Sequence, residues 1–348
     1  MNPYILATLL FGLGLGTTVT FASSHWLLAW MGLELNTLAI IPLMAQLHHP
    51  RAVEATTKYF LTQAAAAATL LFASITNAWL TGQWDIQQLS HPLPTTMITL
   101  ALALKIGLAP LHAWLPEVLQ GLDLTTGLIL STWQKLAPFA LLLQVQPTNS
   151  NMLIFLGLAS TLVGGWGGLN QTQLRKILAY SSIAHLGWMI LVLQFSPSLT
   201  LLTLVMYFIM TASTFLIFKV NKATNINTLA TSWAKTPALT ALTPLVLLSL
   251  GGLPPLSGFM PKWLILQELT KQSLAPTATL AALTALLSLY FYLRLSYAMT
   301  LTTSPNNLTG TTPWRFPSSQ TTLPLAITTA LATCLLPLTP ATMALLTS

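Results

Sequence analysis

From residue 3 to residue 346 the chain runs as long apolar stretches separated by short polar connections. Each stretch approaches the ~20 residues that an α-helix needs to cross the hydrocarbon core of a bilayer. Runs such as TPLVLLSL show no two-residue alternation, which argues against a membrane β-barrel. Charged residues make up 5% of the 348, against about 25% in a soluble globular chain. So few charges could not cover the surface of a soluble fold this size. The expected class is therefore an all-α polytopic membrane protein. Eleven spans are read at approximately 3–21, 25–45, 57–80, 95–119, 124–145, 150–170, 174–194, 198–219, 237–270, 276–299 and 322–346. The fourth and ninth are interrupted by proline and glycine. No soluble domain is expected, and the first span begins too close to Met1 for a cleavable leader. The single cysteine, Cys334, excludes a disulfide framework.

The formal net charge of +7 is distributed unevenly. Arg51, Lys58, Arg175, Lys176, Lys219, Lys222, Lys235, Arg294 and Arg315 fall on the N-terminal side of the membrane or at span ends facing it, while Lys271 falls on the other. Basic loops mark the inner face, so the N-terminus is expected inside and, with an odd number of spans, the C-terminus outside.

An internal repeat organises the chain. GLAPLHAWLPE at 107–117 aligns with GLPPLSGFMPK at 252–262, pairing Gly107 with Gly252, Pro110 with Pro255 and Pro116 with Pro261. The offset covers five spans, so the two copies are expected to have opposite orientation. Proline-broken spans at matching places in inverted halves point to a transport site near the membrane midplane. The implied organisation is a first five-helix repeat over 1–148, a second, inverted repeat over 149–300, and a C-terminal loop and helix over 301–348.

The residues expected to carry chemistry are ionisable groups inside these spans. Lys105 lies just before the first break; a lysine at that depth costs about 2.5–3.5 kcal/mol even on lenient scales, and Leu or Met would fill the space without it. The break at Pro110 frees backbone carbonyls that need water or side chains, so it tends to line a hydrated cavity. Glu34, in MGLELNTLAI, is the acid that sits well inside a span, and Lys105 is its expected partner. Burial disfavours the charged form of an amine and a nearby carboxylate favours it, so moving such a pair together or apart loads or releases a proton. Lys135 lies mid-span beside Ser131, Thr132, Gln134 and Pro138, and Lys262 follows the second break. His112 sits between Pro110 and Pro116, where an imidazole could relay protons or bond freed carbonyls. His185 is a weaker candidate; Tyr180, Ser181 and Ser182 beside it could form a polar wire, and a satisfied structural histidine is the competing reading.

Other patterns carry little. GLGLG at 12–16 lies within an apolar span with no strand before it. GGWGG at 164–168 reads as small-residue helix packing or a flexible break. His48 and His49 lack further ligands at metal spacing, and Asn307-Leu308-Thr309 matches a glycosylation pattern on the inner face. No haem, flavin, iron–sulfur or phosphate-binding signature is present, so no cofactor or metal is expected in this chain. Proton movement is the simplest use of mid-membrane Glu, Lys and His. Each charge moved against 100 mV costs about 2.3 kcal/mol, which a gradient or a redox partner must supply.

MGLELNTLAIIPL, ALKIGLAPLHAWLPEV and GGLPPLSGFMPKW resemble the antiporter-like membrane subunits of respiratory complex I. The resemblance covers nearly the whole chain, and a Leu- and Thr-rich composition fits a vertebrate chain made inside the organelle. It implies a proton-translocating subunit of the inner mitochondrial membrane, with the N-terminus in the matrix and the C-terminus in the intermembrane space. Glu34 and Lys105 would form a coupled pair, Lys135 the connecting lysine and Lys262 the lysine of the second broken helix. Other membrane-arm and accessory subunits would be partners, and lipid, cardiolipin included, would surround it. NADH, FMN, iron–sulfur clusters and ubiquinone would belong to those partner subunits. Relative to that family three N-terminal helices and a long lateral C-terminal helix are missing, and the second half has no acid matching Glu34. A stand-alone cation/proton antiporter and a spacer without its own proton path are the competing functions.

Overall fold

A computed structural model describes residues 2–46, 49–89, 91–145, 150–234, 236–302 and 322–347. His48, Lys235, Arg315 and the Asn307-Leu308-Thr309 pattern lie outside them. The described residues form α-helices, short 3-10 turns and two isolated bridges, with no strand. The helices are α1 (Pro3–Ala22), α2 (Trp26–Met44), α3 (Pro50–Thr81), α4 (Pro92–Ile106), α5 (Trp114–Gly121), α6 (Leu124–Ser131), α7 (Trp133–Val145), α8 (Ser150–Gly168), α9 (Leu174–Val192), α10 (Pro197–Asn221), α11 (Ile226–Ala230), α12 (Pro237–Gly251), α13 (Phe259–Lys271), α14 (Ala275–Thr300), α15 (Thr322–Cys334) and α16 (Thr339–Thr347).

Each expected span is occupied by helix. By length and composition seven among the described residues can cross a membrane, and eight if the C-terminal pair, bent by 71°, counts as one. α4 and α12 are too short to do so alone, and Arg175, Lys176 and His185 dilute the apolar character of α9. Two breaks were not expected. The fifth span divides at Thr132 into α6 and α7, where the Thr132 hydroxyl donates to Leu128 O. The last divides at Leu336–Leu338, where Pro337 cannot continue the ladder.

Local chemistry sets these ends. Proline opens α1, α3, α4, α10 and α12, where its missing N–H forfeits no helical bond. Side chains of Asn2, His25 and His49 accept from the first free amides of α1, α2 and α3. Gly107 (φ 88) and Gly252 (φ 77) close α4 and α12 in the left-handed region, which a side chain would penalise. Threonine and serine hydroxyls donate to the carbonyl three residues earlier, as Thr20 does to Thr17 and Thr214 to Thr211. That bond lets a Thr-rich helix sit in an apolar interior.

The chain divides into two compact units, 1–156 and 157–348. In the first, α1 and α2 cross closely at Gly16 and Gly32: a Cβ on Gly32 would lie 2.9 Å from Gly16 O. The turn between these helices meets the loop after α3, with Trp26 N donating to Trp84 O, Ile86 N to Ser24 O, and the His25 and Trp84 rings stacked. In the second, α8 and α9 cross at Gly157, Gly164 and Gly187, and the turn between them meets the loop after α10 through Leu174 N to Thr224 O and Ile226 N to Thr172 O. GGWGG thus serves packing: Gly164 abuts Ala184 and Gly167 the Tyr180 ring. At Gly187 an added methyl would press on Ser160 Oγ and lie 2.8 Å from Gly157 O. Gly187→Ala is expected to destabilise the α8–α9 pair by about 1–3 kcal/mol, the usual range for overpacking, read as a lower thermal midpoint of the assembled protein.

Candidate functional site

In the first unit, α4 ends at Gly107, the chain turns through 108–113 with Ala109–Pro110 cis, and α5 resumes at Trp114. Helix α3 spans this break. Gln63 Nε2 donates to Lys105 O at 3.4 Å, the Tyr59 ring packs on Trp114, and Lys58 Nζ pairs with Glu117 at 2.7 Å. Trp114 Nε1 donates back to Leu104 O. The halves of the broken helix are thereby held through one face of α3.

Lys105 and Lys135 are 7% and 3% exposed and line one cavity of about 20 Å³ with Asn36, Thr37, Tyr59, Gln63, Trp114 and Gln134. That volume accommodates one water. Lys105 Nζ and both amide atoms of Asn36 are buried without hydrogen-bond partners. Gln134 Nε2 donates to Asn36 O, tying α7 to α2. Buried polar atoms normally find partners, and orphans mark function or bound solvent.

Glu34 does not form the expected direct ion pair. Ion pairs form elsewhere, at Lys58–Glu54, Lys58–Glu117 and Lys271–Glu268. The Glu34 carboxylate accepts from Thr37 Oγ1 at 3.0 Å and is partly exposed. His112 sits on the turn, half-buried, with Nδ1 unpartnered, and is not among the residues lining the cavity.

In the second unit, α12 ends at Gly252, Pro254–Pro255 is cis, and α13 begins at Phe259. Lys262 Nζ donates to Gly251 O at 2.8 Å, so its ammonium caps the carbonyl end of α12, where a cation is favoured. Lys262 and His185 line a second cavity of about 20 Å³ with Trp188, Thr203 and Met210. The weaker histidine therefore shares a site with the lysine of the second break. Tyr180 packs against Gly167 instead of continuing a wire with Ser181 and Ser182.

Asn36, Gln63 and Tyr59 escaped sequence reasoning. Their signal was available: Asn36 and Gln63 are amides inside apolar helices, as anomalous in their way as a charge.

A family described as NADH:quinone oxidoreductase/Mrp antiporter, transmembrane, matches residues 23–288, and one described as NADH dehydrogenase subunit 2 C-terminus matches 289–343. The NADH-ubiquinone oxidoreductase chain 2 of Tetraodon nigroviridis is 79% identical, covering 98% of each chain. The chain belongs to the NADH-ubiquinone oxidoreductase chain 2 family. The Salmo salar member is 76% identical over the full length of both chains. Among solved structures, a chain of respiratory complex I from Thermus thermophilus with bound aureothin is 28% identical, with a TM-score of 0.88 over 99% of this chain and 80% of that one.

Proposed function

We propose that this chain is an antiporter-like core subunit of the complex I membrane arm, translocating protons through Glu34, Lys105, Lys135 and Lys262. Electron transfer from NADH to ubiquinone in other subunits supplies the energy. The observation that carries the reading is the cavity of the first unit, where two buried lysines and an unpartnered amide surround space for water. No packing demand explains amines there. Glu34 biases the Lys105 proton through space, so a shift of α2 or of the α4 end changes that bias without a salt bridge to break. His112 and His185 act beside the two breaks, His185 with Lys262 across the second cavity.

The organisation we propose is eleven spans in two inverted five-helix repeats, 1–148 and 149–300, followed by 301–348. Correspondences within the units support it. Gly107 and Gly252 cap the broken helices with the same backbone. His25 bridges Asp85 in one unit and Gln173 bridges Asn225 in the other, each joining the first helix–helix turn to the loop after the third helix. The chain 2 relatives support an inner-mitochondrial-membrane location, and the basic loops support an N-terminus in the matrix and a C-terminus in the intermembrane space. FMN, iron–sulfur clusters and quinone reside in the partner subunits.

Lys135→Met in the assembled complex, reconstituted into liposomes, tests the reading. Methionine keeps the packing and removes the proton carrier, so the proton-to-electron ratio should fall. An unchanged ratio would favour a spacer. Cation-dependent transport by the isolated chain would favour a stand-alone antiporter.

A further inference from the structure

The second unit lacks an acid matching Glu34, yet it buries two phenols that the proposed function leaves unused. Tyr207 on α10 and Tyr292 on α14 are each 1% exposed. The Tyr207 ring packs on His185 with centroids 5.6 Å apart, and its hydroxyl bonds Ser182. The Tyr292 hydroxyl faces Ser181 without completing a hydrogen bond. Ser181 and Ser182 donate to Leu178 O and Ala179 O, leaving their oxygens free to accept. On α9, Ser181 and Ser182 stand four and three residues before His185, on one helix face. The Tyr292 ring lies against Gly251, whose carbonyl receives Lys262 Nζ. His185 and Lys262 share the second cavity.

His185, across the second cavity, and Tyr292, beside Gly251, connect these groups to Lys262. Phenylalanine would fill either tyrosine site equally well. A buried hydroxyl without a full bond costs about 1–3 kcal/mol, so packing and stability do not account for Tyr292.

We propose that Tyr207, Tyr292, Ser181 and Ser182 form a hydroxyl relay that exchanges protons with Lys262 by way of His185, in place of the acid this half lacks. The inference rests on the proton-translocating reading. Each step conserves atoms and charge: an oxygen accepts a proton from one neighbour and releases its own to the next, and the phenol is re-formed. His185 takes up a proton on one ring nitrogen as it gives one from the other.

The test compares Tyr207→Phe, Tyr292→Phe and Lys262→Met in the assembled complex in liposomes. Each phenylalanine variant should lower the proton-to-electron ratio by as much as Lys262→Met, and combining either with Lys262→Met should lower it no further. Tyr292→Phe should also hold or raise the thermal midpoint, an effect opposite to that of lost packing. Parental ratios in both phenylalanine variants, with a reduced ratio in Lys262→Met, overturn the relay and leave the proton-translocating reading intact. A parental ratio in Lys262→Met overturns the relay together with that reading in this half. If a phenylalanine variant fails to assemble, Ser182→Ala reads the same path: an equal loss supports the relay, and a parental ratio overturns it.

Discussion

Lys105→Met is expected to lower the proton-to-electron ratio of the assembled complex while holding or raising its thermal stability. The two effects have one cause. Lys105 Nζ is buried with no hydrogen-bond partner, and an amine at such depth costs about 2.5–3.5 kcal/mol relative to an apolar side chain. Methionine relieves that penalty and fills a similar volume. Gln63 bonds the Lys105 backbone carbonyl and Trp114 bonds Leu104 O, so the α4 end keeps its supports in the variant. What disappears is the amine proposed to carry the proton beside Lys135. Paired measurements of proton-to-electron ratio and thermal midpoint check the prediction. A reduced ratio accompanied by a lower midpoint would indicate damage to the break instead of loss of a carrier.

Gly258→Val is expected to have the largest structural effect, destabilising the second unit by about 3 kcal/mol or more, at the upper end of overpacking. Gly258 precedes α13 with φ −70, which any residue can adopt. Its requirement is space. A Cβ there would fall on the backbone carbonyl of Ser249 and 3.0 Å from Met210 Sδ. A flexible side chain could yield, whereas the Ser249 carbonyl is held at the end of α12 by Gly252 N. The start of α13 would have to move away from α12, drawing Lys262 from Gly251 O. Loss of assembled complex on a native gel checks this, with Gly14→Ala as the neutral comparison, since nothing lies within 4 Å of the Cβ it would add.

Much of the fold was legible because a bilayer leaves a chain few options. Apolar stretches of spanning length must be helices when water is absent to bond the backbone, and each expected span contains helix among the described residues, with seven or eight long and apolar enough to cross a membrane. The first and second breaks were legible because glycine and proline act locally. The divisions at Thr132 and Leu336–Leu338 were less so: Pro138 sits inside α7 without ending it, and a threonine bonding its own helix leaves no distinctive mark.

The site was legible as a set of residues and illegible as an arrangement. Glu34 and Lys105 stood out because charge inside an apolar span is costly wherever it sits. Their separation depends on how α2 meets α4, which the one-dimensional pattern does not encode. Hence Glu34 bonds Thr37 and forms no ion pair with Lys105. Glu117, the alignment partner of Lys262, proves to be an exposed anchor for Lys58.

Hydrophobic length and the cost of buried charge are local properties, so helical stretches, two glycine–proline breaks and amines set inside apolar segments could be read from the chain alone. Which polar groups share a cavity, Lys105 with Lys135 and Asn36 or Lys262 with His185, emerges from the folded packing. Those meetings arise from close helix crossings between residues far apart in the chain, and packing at that range is cooperative.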